Sequence, residues 1–434
     1  MNTKFYQVVK ALVIFLAAVP SVCLADSAGV LPKGIFSFDM THWEYFPITK
    51  QYDPKGKPED LAVNYNGALD STIFPALAPL DPFVPGLPTV GDSVVKFKLI
   101  AKNTDLNFYY GLTDNLLLGV KVPVNYVQRQ VKRRLDTSTA NVGKNAAALC
   151  GSLICPLFVP GTVPLTTQDV LDLVGQGLDV DKNGTIDIPG FGYKPFETYT
   201  RTGVGDIEVA GKYQFYDSKP LRFALSGGVR LPTGRADDRD SLTDFALGGG
   251  QTDLMFRLHS DYTGIENLLL NATVGYDVQL PDKEKVRVPD DANRPITVNR
   301  ERVHRNLGDV ISLDLMGRYS FTPEFSFGLR YRYDKKLKDS VDGDRGFRYS
   351  ALEDETRTVS HMAIVSLGFS TVNLYLAKKF FLPFTADISY RNRFAGKSNV
   401  TKSQYVSFNL TFFLDTPWAT IGRTAEGKAE QGKP

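Results

Sequence analysis

Residues 203–234 read GVGDIEVAGKYQFYDSKPLRFALSGGVRLPTG. With a period of two, Ile207, Val209, Tyr213 and Phe215 fall on one face of the first arm, and Asp206, Glu208, Lys212 and Gln214 on the other. The second arm alternates in the same way, with Leu221, Phe223, Leu225, Val229 and Leu231 against Arg222, Ala224, Ser226, Gly228 and Arg230. Only Asp217-Ser218-Lys219-Pro220 separates the arms, so an antiparallel hairpin is expected. A strand of a soluble sandwich is about five or six residues long. Each arm here runs to about ten, the length that crosses a bilayer at a tilt.

Outward from the hairpin, the N-terminus supplies a compartment. Lys4 and Lys10 precede the apolar run from Ala11 to Val19, and Ala25 is a small residue at a cleavage point, so residues 1–25 read as a secretory signal peptide. The mature chain is expected to begin at Asp26. A lipid anchor at Cys23 is the rival reading, disfavoured because Pro20-Ser21-Val22 is a poor recognition sequence. No later segment offers the ~18 consecutive apolar residues of a membrane helix. A membrane form must therefore be a closed barrel.

Composition agrees. The chain has 50 basic and 48 acidic residues, and loss of the signal peptide leaves 48 of each, which argues against a nucleic-acid partner. Hydrophobic residues at 43% with a mean hydropathy of -0.16 are too polar for a bundle of membrane helices but suit strands with one wet face. Twenty Tyr and 28 Phe supply rings for two interfacial girdles. Cys150 and Cys155, the cysteines left after Cys23 is removed, are expected to form one small disulfide in an oxidising compartment.

Twelve strands of this kind can be traced: Gly34 to Tyr45, Val94 to Tyr110, Leu116 to Gln130, the two arms of the hairpin, Thr252 to Tyr262, Asn267 to Leu280, Val310 to Phe321, Phe325 to Asp334, Thr358 to Tyr375, Phe384 to Arg393 and Tyr405 to Phe413. The second strand shifts its apolar parity between Leu99 and Leu106, which reads as a bulge. Connections after odd strands are long and polar except the last, and those after even strands are a few residues. An even count with short turns on one side and long loops on the other is the pattern of outer-membrane barrels. The fold class expected is thus all-β, a transmembrane antiparallel β-barrel of about 12 strands. Its parts are the signal peptide 1–25, the barrel 26–413 with a long external loop 136–199, and a periplasmic tail 414–434. Outer-membrane lipid, the assembly machinery that reads an aromatic-ended last strand and a small-molecule substrate are the partners this layout implies.

Strand parity sends a set of charged side chains inward: Lys98, Lys121, Glu208, Lys212, Arg222, Arg230, Arg257, Asp277, Asp314, Arg318, Arg330, Arg332, Asp387, Arg391 and Arg393. The plain account is that these pair across strands and wet a lumen. Their basic excess also admits an anion-preferring pore in which Arg forks hold carboxylates in passage. A channel for hydrophobic compounds should carry aromatic residues in the lumen or a lateral opening. A third reading makes the barrel a mount for long loops acting as an adhesin or receptor. Enzymatic activity is not expected. A lipase of this architecture needs Ser and His side by side on the lipid face, and His259-Ser260 and Ser360-His361 are adjacent in sequence and so face opposite ways.

One motif stands apart from the barrel. Asp179, Asp181, Asn183, Thr185 and Asp187 place oxygen donors around Gly184 at the spacing of a calcium loop, although position 12 is Gly190 where the bidentate Glu belongs. A structural calcium ion and a metal-free Asx turn are both open readings. The preceding segment from Thr167 to Leu178 suits a short helix with Val170, Leu171 and Val174 on one face. No other cofactor is implied.

YGLTDNLLLGVKVPV (Tyr110 to Val124), GVGDIEVAGKY (Gly203 to Tyr213) and SGGVRLPTG (Ser226 to Gly234) resemble hallmark segments of the meta-pathway phenol-degradation family of outer-membrane proteins. The resemblance implies an outer-membrane β-barrel that passes small molecules, aromatic or other hydrophobic compounds among them. It does not reach the loop from Asp136 to Tyr199. The function expected is passive uptake of small molecules through an outer-membrane channel.

Overall fold

The computed structural model of the chain describes residues 27–144, 158–160, 163–180, 182–290 and 296–415. Twelve long strands alternate side chains between two faces and pair antiparallel in chain order. They are β1 Ile35–Tyr45, β2 Thr89–Thr113, β3 Leu116–Asp136, β4 Ile207–Ser218, β5 Leu221–Leu231, β6 Asp253–Ile265, β7 Leu268–Gln279, β8 Val310–Ser320, β9 Phe325–Lys336, β10 Val359–Ser370, β11 Phe384–Lys397 and β12 Gln404–Asp415. The last pairs with the first along its whole length, from Ile35 opposite Asp415 to Tyr45 opposite Tyr405. The sheet therefore has no open edge, the condition for backbone polar groups to survive in lipid. Among the described residues no helix is long and apolar enough to cross a membrane.

The outer face carries the lipid contact. Val209, Leu225, Leu258, Val274, Leu315, Leu329, Val365, Ile388 and Phe408 are exposed large apolar side chains at alternate positions of successive strands. Rings cluster at both ends of the wall, as girdles do at membrane interfaces. Near the short turns, Phe325, Phe369, Phe384 and Phe412 follow one another with centroids 5.1, 5.9 and 6.2 Å apart. Toward the long loops, Tyr331, His361 and Phe394 contact one another on the same outer face.

The traced strands are present, with four differences. No bulge lies between Leu99 and Leu106, because β2 keeps one register with β3 from Asp92 to Gly111. Its apolar parity changes for another reason: Val95, Phe97 and Leu99 point inward and are buried by loop residues, whereas lower in the strand the inward positions are Asp105 and Asn107. A real bulge sits on β4, between Gln214 and Tyr216. The connection after β10 is not a bare turn, since Val372–Leu376 is helical. The last strand runs on to Asp415, into the stretch expected to begin the tail.

Two features narrow the tube. β2 and β3, at 25 and 21 residues, overreach the 11–14 of the other ten and stand up as a hairpin outside the membrane. Loop segments pack on it to form an external lobe with its own core, including Leu69, Phe74, Leu77, Leu80, Val90, Leu173, Leu178 and Ile188. The short helix α1, Thr167–Val174, belongs to this lobe and is closed by a capping box between Thr166 and Asp169. At the opposite end the segment before β1 turns into the barrel. Gly34 donates its N–H to Gly111 O at 2.8 Å, and a Cβ on Gly111 would lie 2.1 Å from Pro32 O, so only glycine admits the chain there. Farther in, Ala28 N–H donates to Asp261 on β6 at 3.1 Å, and Lys212 on β4 donates to Ser27 O at 2.8 Å. β6 lies five strands round from β1, so these few residues cross the lumen near its periplasmic mouth. Ser27, Ala28 and Leu31 are buried there.

Candidate functional site

The inward face is the only large polar surface that the wall encloses. Because the sheet alternates, each strand contributes every second residue to it, and neighbouring strands bring opposite charges level. Lys121 lies 3.5 Å from Asp105 and 3.8 Å from Glu208. Arg230 reaches Glu208 at 3.0 Å, Asp253 at 2.7 Å and Asp277 at 4.0 Å, and Arg257 takes the other oxygen of Asp277. Across the barrel Arg330 pairs with Asp314, Arg318 with Asp387 at 3.5 Å, and Arg332 with Asp334 at 3.0 Å. Arg222 pairs with Asp217 at 3.1 Å. A band of ion pairs thus runs round the wall, and the pairing removes most of the positive field that unpaired arginines would give.

A second cluster lies higher, toward the outside. Tyr45 and Tyr405 stack with centroids 4.2 Å apart, and Trp43 stacks on Tyr405 at 5.9 Å. Met362 and Ile364 back them. The Arg391 guanidinium sits over Trp43 at 5.0 Å and Tyr405 at 5.8 Å. Arg393 donates to Ser360, Thr401 and Ser403. Of the arginines expected in the lumen, Arg391 and Arg393 are the ones for which the described residues show no carboxylate partner. The buried Trp43 indole N–H likewise has no acceptor among them. In the outer loops, the Lys194 ammonium holds the Asp238 carboxyl below the usual carboxylate range.

Near the periplasmic mouth, Asp39 gathers donors from both sides of the seam where β1 meets β12. Asn107 approaches at 2.5 Å, Thr411 at 2.8 Å, and Asn409 also donates to it. His259 is 1% exposed beneath the N-terminal segment, with its Nε2 2.9 Å from Ser226 Oγ and its Nδ1 3.1 Å from Thr273 Oγ1. This Ser–His contact joins facing strands and so escaped a search for sequence neighbours. A hydroxyl stands where a hydrolase would place a carboxylate, and the imidazole is buried.

The expected lumen residues are therefore placed as follows. Lys121, Glu208, Arg230, Arg257 and Asp277 form one connected group, with Arg318, Asp387, Asp314, Arg330 and Arg332 in pairs round the rest of the wall and Arg391 and Arg393 at the top. Arg222 lies at the turn end of β5, and Lys212 is committed to the N-terminal segment. Lys98 is a correction. It is exposed between the buried Phe97 and Leu99, on the outer face of the projecting hairpin. The same false bulge hid Asp105. Asp39, Asp253, Trp43, Tyr45 and Tyr405 were also missed, though each shares its strand's inward parity.

The Asp179–Asp187 stretch folds as a tight turn. Asp179 accepts from the N–H groups of Asn183 and Gly184 at 3.2 and 2.7 Å, Asn183 Oδ1 accepts from Thr185 N–H at 2.7 Å, and Asp187 accepts from Val180 N–H at 2.7 Å. Asp181, one of the donors of the expected calcium set, lies outside the described residues, as do Cys150 and Cys155, the signal peptide and residues 416–434.

Residues 161–353 match the model of the family described as "Putative MetA-pathway of phenol degradation". That span contains two of the three segments on which the resemblance rests. No curated protein sequence matches the chain. Among solved structures, an outer-membrane channel of Pseudomonas putida F1 described as COG4313 is similar with a TM-score of 0.50 at 12% identity, over 89% of this chain and 98% of that one. A TodX mutant described as a monoaromatic hydrocarbon channel gives 0.35 at 8% identity, over 92% and 95%. A FadL homologue of Pseudomonas aeruginosa gives 0.34 at 10% identity, over 88% and 90%. The first of these places the fold among outer-membrane barrels.

Proposed function

We propose that the chain is a passive outer-membrane channel for small molecules, and that it favours aromatic compounds carrying an oxygen. The stacked shelf of Trp43, Tyr45 and Tyr405 inside the lumen is the observation that carries this reading. A pore for salts and sugars alone has no need of stacked rings on its wall, whereas an aromatic guest gains dispersion and quadrupole interactions against the partly exposed Trp43 and Tyr45, which the buried Tyr405 backs. The Arg391 guanidinium adds donors beside the rings, suited to a phenolic or carboxylate oxygen. Below the shelf the guest meets the band of paired charges, a wall that wets a polar substituent without trapping it. The family description, which names phenol degradation, and the channel fold support the same class. No catalytic role is proposed for the enclosed Ser226–His259 contact.

The test is a swelling assay in proteoliposomes with phenol, benzoate and a sugar of similar mass. Replacing Trp43 and Tyr405 together by Ala should slow phenol and benzoate several-fold and leave the sugar unchanged. Equal effects on all three solutes would reduce the shelf to wall packing.

A second reading, anion preference, is favoured by Arg391 and Arg393 alone. The other inward arginines have carboxylates to satisfy them.

A further inference from the structure

The external lobe holds a half-open cavity of about 330 Å3, lined by loop residues and the projecting ends of the long hairpin. Its walls come from the stretch Asn64 to Ile73, the projecting ends of β2 and β3, and α1, with Phe196, Leu242 and Ile296 added from three other loops. The lining is chiefly apolar, with Tyr65, Leu69, Ile73, Leu135, Val170 and Val174 facing the space. A concave, chiefly apolar cleft of this size that is only partly open to water has the form of a small-molecule site.

Most polar groups in the wall already have partners within the protein. Asn66 donates to Ala62 O at 2.7 Å and Val95 O at 3.1 Å and accepts from Val95 N–H at 2.6 Å. Ser93 donates to Tyr65 O at 2.7 Å, and Thr167 Oγ1 accepts from Leu135 N–H at 3.0 Å. Asp70 is occupied by Thr72, and Arg134 by Asp136 at 3.1 Å. Arg133 is exposed at the rim. One wall is aromatic. Tyr65 and Phe196 stack at 5.8 Å, and Phe97 meets them edge-on at 5.1 and 6.0 Å. A cavity of roughly 150 Å3 lined by aliphatic and aromatic side chains stays dry and holds benzene, and small-molecule pockets begin near 300 Å3.

We propose that this cavity is a binding site for one neutral aromatic molecule, a single ring with a short substituent, taken up from the external medium. The site goes beyond the channel reading and does not depend on the lumen shelf. Bound there, a sparingly soluble ring would be held above the pore at a higher local concentration than in the surrounding water.

Fluorobenzene is the probe, with its 19F line width followed against the full-length protein in lipid nanodiscs and against empty nanodiscs. Saturable broadening beyond the empty-disc value is expected. Val170→Trp on α1 should fill the cavity and weaken binding by about tenfold or more. Ile73→Trp, from a separate segment, should do the same, so that misfolding of either variant does not decide the matter. The titration is run on a Trp43→Ala background, which removes the lumen shelf, so that only the external cavity is read. Each variant is checked as a folded barrel by its heat-dependent gel mobility. Loss confined to the two filling variants supports the site. Absence of saturable broadening on that background, or broadening that survives both tryptophans, overturns it, and broadening that is present with Trp43 and vanishes on Trp43→Ala belongs to the lumen shelf.

Discussion

Asp39 shows what one side chain does in a closed sheet. Its carboxylate is 6% exposed and takes hydrogen bonds from Asn107 on one neighbouring strand and from Asn409 and Thr411 on the other, so it fastens the seam where the chain's first and last strands meet. Charge-assisted bonds of this kind are worth more than neutral ones, and their loss strands the donors. Asp39→Ala should destabilise the folded barrel by about 3 kcal/mol and Asp39→Asn by less than half of that, measured by urea unfolding from lipid vesicles. Equal losses would mean that the seam needs only shape. The residue lies on the inward parity of β1 and was legible in principle. It was passed over because a lone Asp in an apolar strand looks like an exception until its partners, 68 to 372 residues away in sequence, are in view. Trp43 and Tyr405 escaped for a related reason. An aromatic residue in a membrane strand reads first as a girdle residue, and only register shows that these two point inward.

At the scale of elements, alternation and turn length carried nearly the whole barrel, because a period of two with one greasy face admits few alternatives once the strands are about ten residues long. The exceptions share a cause. Where strands leave the membrane, the rule that apolar means outward ends, and Val95, Phe97 and Leu99 became inward core positions of the external lobe. The assumed bulge turned Lys98 inward on paper and concealed Asp105. The N-terminal segment was likewise illegible, since Ser27 to Lys33 has no periodicity and its place is set by Asp261 and Lys212. Because it spans the periplasmic mouth, deleting residues 27–30 should raise single-channel conductance in planar bilayers, and Asp261→Asn with Lys212→Met should increase the frequency of open events. Unchanged traces for both would show that the segment lies along the wall and leaves the path clear.

For the whole molecule, the decisive property is that inward charge is balanced. Sequence parity alone found the arginines more readily than their carboxylates and so suggested a basic pore. With Asp105, Asp253 and Asp334 counted beside Glu208, Asp277, Asp314 and Asp387, the wall is close to self-neutralised. Reversal potentials in a salt gradient should accordingly show anions preferred over cations by only a few-fold, and Arg391→Gln with Arg393→Gln should bring the ratio near one. A preference of an order of magnitude that survives the double replacement would place the selectivity elsewhere.

The enclosed position of Ser27 also bears on biogenesis. A tube can be shut around a strap only if the strap is already inside when the seam zips, so anything fused ahead of it must be trimmed beforehand or else threaded through the mouth. An affinity handle placed directly ahead of Ser27 should therefore slow assembly.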